Sequence, residues 1–397
     1  MILMTFCLMA FCFWHIYSCM LSGVNFLKRF SMSAINSRLY QTLPITTPLV
    51  LAPMAGAAGG ALAAACARAG ALGLIGGGYG NLEWVKVEHA KAYALAAESA
   101  DRVAGAGASP SASQNTTPSA SPITTNDAVS STQSRLGMGF ITWRLDKDAS
   151  ALDWVLDQAH KPAAMMFSFG NPARYTQSIQ HHRIPIICQA QRVDQVSQLI
   201  DAGADIIVAQ GGEAGGHGMR NDQARGTFTL VPEIADWLAK HSPNTLLLAA
   251  GGIADGRGLA AAMMLGADGG LVGSRLWVTQ ECLAPVAALQ QAVNAKGDDT
   301  ARSSVFDVLR DLEWPVPYDF RALRNETHRQ WEQQIDQLRQ QPDTARKDYV
   351  EGVAQQDYTR AHVTVGEATG LIHDIPSATD VIESITQQAR ALQSSVN

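Results

Sequence analysis

From Pro48 onward, short apolar runs alternate with longer stretches of helical character. The first run, Leu49–Ala52, ends in Pro53-Met-Ala-Gly56. It gives way to Gly60–Arg68, an alanine-rich helix by propensity that Gly70 stops. The pattern predicts further strands at Leu72–Ile75, Leu136–Ile141, Ala163–Ser168, Ile184–Cys188, Ile206–Ala209, Leu246–Ala249 and Gly269–Val272. Helices are predicted at about Leu82–Ala97, Ala149–His160, through His181, and over Val193–Asp201, Val231–Lys240 and Gly258–Leu265. Strands apolar at consecutive positions are buried on both faces, as parallel strands are. Eight strand–helix units in succession predict an α/β fold, the (β/α)8 TIM barrel, over residues 43–280. An open doubly wound sheet would want Gly-x-Gly-x-x-Gly after the first strand, where this chain has Ala52-Pro-Met-Ala-Gly56.

Three regions depart from that pattern. Residues 99–134 are rich in Ser, Thr, Ala and Pro without a hydrophobic period, and are expected to form a disordered surface insertion. Residues 281–397 turn helical and carry Trp314-Pro-Val-Pro317, which suggests a helical extension folded back over the barrel mouth. Within it Ser377–Asp380 has the form of a capping box, ahead of a helical face of Ile382, Ile385, Ala389 and Leu392. Residues 1–22 are almost uniformly apolar and precede Lys28-Arg29, in a segment that extends to residue 31. This segment reads as a membrane anchor, a targeting peptide, or an extension ahead of a start at Met32. Membrane contact is expected only if it is retained as an anchor.

Composition narrows the partners. Lys+Arg 30 against Asp+Glu 36 gives a net charge of −6, and no long basic block is present, which argues against a nucleic-acid partner. The six cysteines show no metal-ligand or redox spacing. Cys66, Cys188 and Cys282 fall in apolar segments and are expected as small buried hydrophobes in a reducing, cytoplasmic setting. Composition leaves the oligomeric state open.

In a barrel of this kind the chemistry sits at the C-terminal ends of the strands. There the sequence offers many glycines and almost no carboxylates, with no metal cluster and no Ser-His-Asp set. Such a mouth suits a flat cofactor held largely by backbone. Gly251-Gly252 and Gly273-Ser274, after the last two barrel strands, stand where barrels commonly bind a phosphate. Asp255 is placed to cap the helix that follows. After the sixth strand comes Gln210-Gly-Gly-Glu-Ala-Gly-Gly-His217, a glycine-rich loop with a proton-transfer group at its tip. Glu213 is expected to serve as a structural hydrogen-bonding group, and His181-His182 as a solvated helix end. One phosphate, a flat ring and apolar contacts from the first strand fit FMN.

Ala52-Pro-Met-Ala-Gly56, Gln210–His217, Ala250-Gly-Gly-Ile-Ala-Asp255 and Leu265–Arg275 together resemble the nitronate monooxygenases, formerly 2-nitropropane dioxygenases. Phe306–Arg310, Arg321–Asn325 and Gly366–Pro376 resemble the C-terminal part of fungal-type members. The resemblance implies an FMN enzyme that oxidises alkyl nitronates, such as propionate 3-nitronate, with O2 to carbonyl compounds and nitrite. It implies that His217 is the active-site base. Ala52, Pro53 and Met54 would line the flavin ring, with Gln189 at its polar edge and Gly212 and Gly216 beside it. Gly251, Gly252, Gly273 and Ser274 would hold the phosphate. Two other functions fit the same barrel: an FMN-dependent NAD(P)H:quinone or enoyl-thioester reductase, and a non-catalytic phosphate-ligand-binding barrel.

Overall fold

The computed structural model of the protein describes residues 35–105 and 131–396. The apolar segment at residues 1–31 and the part of the insertion at 106–130 lie outside the described residues. Its strands, in chain order, are β1 Leu49–Leu51, β2 Gly73–Gly78, β3 Leu136–Ile141, β4 Met165–Ser168, β5 Ile186–Ala190, β6 Ile206–Gln210, β7 Gly216–Met219, β8 Leu246–Ala250, β9 Gly269–Val272, β10 Thr300–Ser303 and β11 Tyr318–Leu323. Eight of them pair in parallel in the order β1-β9-β8-β6-β5-β4-β3-β2. A bridge between Val50 and Leu72 joins the two ends and closes the barrel. Leu51 N–H donates to Leu72 O at 2.9 Å across that seam, and Leu72 N–H to Leu49 O at 3.1 Å.

Alternation along buried strands produces two apolar layers. Side chains of successive residues point to opposite faces, so Val50, Leu74, Met166, Val208, Leu248 and Leu271 cluster together inside the barrel. Their neighbours Leu51, Ile75, Phe167, Cys188, Ile207, Leu247 and Val272 join the layer under the helices. Leu39, Leu43 and Ile45, in and beside the helix Leu39–Thr42, pack with the inner cluster and plug one end. Cys66, Cys188 and Cys282 are free and buried, as their apolar settings predict.

Both edges of the insertion differ from the sequence pattern. The helix after β2 runs to Gly105 rather than stopping near Ala97, and residues 131–133 form a helical turn that leads into β3. The region after the barrel is also not purely helical. β10 and β11 form an antiparallel sheet with β7, a strand that leaves the loop after β6. β7, β11 and Arg310, just after the helix Val305–Leu309, contribute to the wall of the mouth, while the last helix, Ala378–Val396, lies elsewhere. It packs on the barrel wall against the helices Gly60–Arg68 and Gly256–Met264. There Ile382, Ile385 and Ala389 are buried, whereas Leu392 is left at the fringe. Ser377 Oγ accepts Asp380 N–H at 3.1 Å, the expected cap. Among the described residues no helix is long and apolar enough to cross a membrane.

Candidate active site

One deep cavity opens at the C-terminal ends of the barrel strands and holds about 1300 Å³, mouth included. The barrel contributes Ala52, Pro53 and Met54 after β1, Gln189 on β5, Gln210 on β6, Gly251 and Gly252 after β8, and Gly273 and Ser274 after β9. The C-terminal region contributes Arg310, Trp314, Phe320, His362 and Thr364. A barrel alone would leave this end open to water; residues from the extension wall it in.

His217 lies on β7 rather than at a loop tip. It pairs across the sheet with Phe320, whose ring centroid is 4.8 Å away. Trp314 stacks on the imidazole at 3.4 Å between centroids and 12° between planes, and its Nε1 donates to Tyr79 Oη at 3.1 Å. His217 Nε2 lies 2.9 Å from Asp307 Oδ1, and both side chains are buried. Desolvation disfavours charge on either partner. Burial, aided by Arg310 and Arg302, holds the imidazole well below the usual histidine range and favours its neutral form. Burial pushes the Asp307 carboxyl up to about 7, against the pull of Arg310.

The strand that carries His217 is held by a buried arginine. Arg302 Nη1 donates to Gly216 O at 3.1 Å and to Asp319 O at 2.8 Å, and its Nη2 donates to Ala214 O at 2.7 Å. Gly218 belongs to the same arrangement: a Cβ there would come within 2.6 Å of the guanidinium. Glu213 Oε1 and Oε2 accept Thr227 N–H at 2.9 and 3.0 Å, and Oε2 also accepts Thr227 Oγ1–H at 2.8 Å. That is the structural role expected of it.

The structure brings all but one of the expected site residues to the cavity. The exception is Gly212, whose N–H donates to Arg225 O at 2.7 Å and whose carbonyl accepts from Arg321 Nε at 3.1 Å. These bonds tie it into the loop framework behind the cavity wall, so Gly212 does not line the site. Gly216 does, although its carbonyl is taken by Arg302. Gln189 Nε2 donates to Gln210 Oε1, and Gln210 Nε2 donates in turn to the main-chain oxygen of His217 at 3.2 Å. Gln189 is therefore coupled to the histidine strand while its own carbonyl oxygen remains available.

The ends of β8 and β9 border the cavity with Gly251, Gly252, Gly273 and Ser274. Gly251 and Gly252 both have positive φ, 99° and 77°, so the chain turns sharply beside the cavity. Asp255 Oδ1 accepts Arg257 N–H at 2.9 Å and Gly258 N–H at 3.2 Å, so the following helix is already capped by its own side chain. Ser274 Oγ accepts Gly366 N–H at 2.8 Å, which leaves its O–H to donate. Gly273 is the informative position. Its φ is −102°, and a Cβ would meet nothing closer than Ala52 Cβ at 3.8 Å and Met54 Sδ at 3.9 Å. Internal packing does not require glycine there. Its missing side chain leaves open cavity space beside Ala52 and Met54.

Asp307, Arg310, Trp314, Phe320 and His362 stand at or beside the cavity, and no local sequence pattern marks their side chains as meeting there. Trp314-Pro-Val-Pro317 was the available signal, since it pointed to a segment over the mouth. The pairing of β7 with β11 that places Phe320 opposite His217 had none, because Gly216-His-Gly-Met219 has little strand propensity.

Comparison with known proteins is consistent with this geometry. The sequence model for nitronate monooxygenase matches residues 36–388. The chain belongs to the nitronate monooxygenase family. It is 33% identical over 278 residues to the nitronate monooxygenase npaC of Metarhizium robertsii, covering 66% of this chain and 75% of that protein. The nitroalkane oxidase from Streptomyces ansochromogenes superposes with a TM-score of 0.67 at 21% identity, over 91% of this chain and 100% of that one. FabK from Thermotoga maritima gives 0.65 at 24%, over 91% and 98%. These two structures share the barrel fold. As a nitronate monooxygenase family member the chain is an oxidoreductase of a generally flavin-dependent group, acting on a small molecule and O2.

Proposed function

We propose that the protein binds FMN and oxidises alkyl nitronates with O2 to carbonyl compounds and nitrite, with His217 as the base that admits neutral nitroalkanes. One juxtaposition carries this reading. A histidine whose burial favours the neutral form, an arginine and the glycine-bearing ends of β8 and β9 face the same cavity. Bound FMN would supply the acceptor for the substrate's electrons and pass them to O2.

Each residue then has a defined task. Ala52, Pro53 and Met54 offer an apolar surface to the ring, and the Gln189 carbonyl an acceptor for its polar edge. The turn at Gly251-Gly252 and the Gly273-Ser274 backbone offer N–H groups to the phosphate. Arg310 supplies positive charge for an anionic substrate. Its Nη1 is buried without a partner, and among the described residues no carboxylate lies within ion-pair distance of it. His217 accepts the proton from the α-carbon of a nitroalkane, which converts that neutral substrate to its nitronate.

The test is a flavin spectrum of the purified protein followed by nitronate oxidation. A yellow protein that consumes O2 with a preformed nitronate is expected. NADH oxidation with a quinone acceptor and no nitronate turnover would replace the reading by a reductase. A colourless protein that takes up no added FMN would leave only a ligand-binding barrel.

Gly273, which lines the cavity, gives a second test. Gly273→Leu is expected to weaken FMN binding by about 5–150-fold, the effect of about 1–3 kcal/mol of overpacking. Gly273→Ala should weaken it less, and the melting temperature of FMN-free protein should change little in either. Fluorescence titration of FMN reads the outcome, and an unaltered affinity in the leucine variant would show that the ligand lies elsewhere.

A further inference from the structure

We propose that Asp307 is a positioning residue for His217: its carboxylate holds the Nε2–H form of the ring and so leaves the basic lone pair on Nδ1. The proposal rests on the reading of His217 as the base. It begins from the 2.9 Å contact between Asp307 Oδ1 and His217 Nε2. The other carboxylate oxygen, Oδ2, is buried with no partner, so His217 is the carboxyl group's one hydrogen-bond partner among the described residues. Nδ1 has none among the described residues, and the histidine lines the cavity.

A neutral imidazole has one N–H and one lone pair, and the partner of one nitrogen decides which is which. When Asp307 is ionised it can only accept, so the ring proton sits on Nε2 and Nδ1 is the acceptor. When Asp307 is protonated it donates to Nε2, the ring proton moves to Nδ1, and Nδ1 cannot take a proton. Passing from the second form to the first removes one proton from the pair. In the active form the α-C–H bond of a nitroalkane breaks and an Nδ1–H bond forms, with the electron pair left on the substrate as its nitronate. The imidazolium so formed lies against the Asp307 carboxylate.

The change is expected near neutral pH, because burial raises the Asp307 carboxyl to about 7. Other charged and titratable groups surround the pair. Arg310 follows on the same segment and Arg302 lies on β10. His362 is pushed down to about 3 by burial, Arg310 and His217, and Tyr349, which bonds to it, is raised by burial to about 12. Burial raises Tyr79 further above its ordinary range and moves Asp319, on β11, up from the usual carboxylate range.

Two measurements on the FMN-loaded full chain test this. In the first, histidines are labelled with ¹⁵N, and the ring signals lost in His217→Asn identify His217. The parent should change from the Nδ1–H to the Nε2–H form as pH rises through about 7. Asp307→Asn, with its amide donating to Nε2, should stay Nδ1–H throughout. A parent ring that keeps one tautomer from acid to alkaline pH, or an Asp307→Asn ring that follows the parent, overturns the proposal. This readout needs no turnover, so it separates failure of the proposal from failure of the proposed activity.

The second measurement compares kcat/KM for nitroethane and for its preformed nitronate across pH. With nitroethane, Asp307→Asn should lose about 10²-fold or more and lack the rise with pH, while nitronate oxidation changes little. Equal loss on both substrates would mark a merely structural aspartate. If the asparagine variant does not fold, Asp307→Glu should retain the pH-dependent tautomer with a displaced midpoint; a glutamate variant without it overturns the proposal.

Discussion

Replacing His217 by asparagine is expected to lower turnover of a neutral nitroalkane by about 10²–10⁴-fold, the usual effect of removing one general base. Oxidation of a preformed nitronate should suffer less, because that substrate has already lost its α-proton. FMN should stay bound, since the residues proposed to hold it lie on or just after the barrel strands and make no hydrogen bond to the imidazole. The substitution also leaves the β7–β11 pairing in place, because that pairing is made by main-chain groups. The variant does lose the stack with Trp314, so some change in the nitronate KM is compatible with the assignment. Steady-state rates with both forms of one substrate decide the matter. Equal losses on the two, or none on either, would remove His217 from the proton transfer.

The sequence made the barrel legible because parallel strands buried on both faces are continuous apolar runs. Gly269–Val272 and Leu136–Ile141 could be bounded to the residue. Ile184 and Pro185 belong to the approach to β5 instead, because apolar character alone does not fix where pairing begins. At the site, positions on the barrel were legible: Ala52 to Met54, Gln189, Gly251, Gly252, Gly273 and Ser274 do meet at one cavity. Glycines in the loop after β6 were harder to read. Gly212 looks from the sequence like a ligand-facing position, yet it is tied up by Arg225 and Arg321, and Gly218 makes room for Arg302. What stayed hidden was whatever depends on a long-range contact. Asp307 sits on a helix 90 positions beyond His217, and no local pattern announces that their side chains meet.

Arg310→Leu is expected to raise the KM for a nitronate by about 10–150-fold, the effect of losing about 1.5–3 kcal/mol of charged hydrogen bonding. The KM for the neutral nitroalkane should move much less. Arg310 stands out because, among the described residues, its guanidinium has no carboxylate within ion-pair distance, and the one carboxylate lining the cavity, Glu213, is engaged with Thr227. Its Cζ lies 5.2 Å from the Phe320 ring centroid, on the side of the cavity that holds His217. Arg310→Lys should restore part of the nitronate affinity, because it keeps the charge but not the two-pronged geometry. A further consequence separates this role from simple packing. Arg310 lowers both the His217 imidazolium and the Asp307 carboxyl. Its removal makes each hold a proton more tightly, so the pH at which nitroalkane turnover rises should move upward from about 7. Lysine should move it back toward the parent value. A leucine variant with an unchanged nitronate KM and an unshifted pH profile would show that the anion is held by other groups.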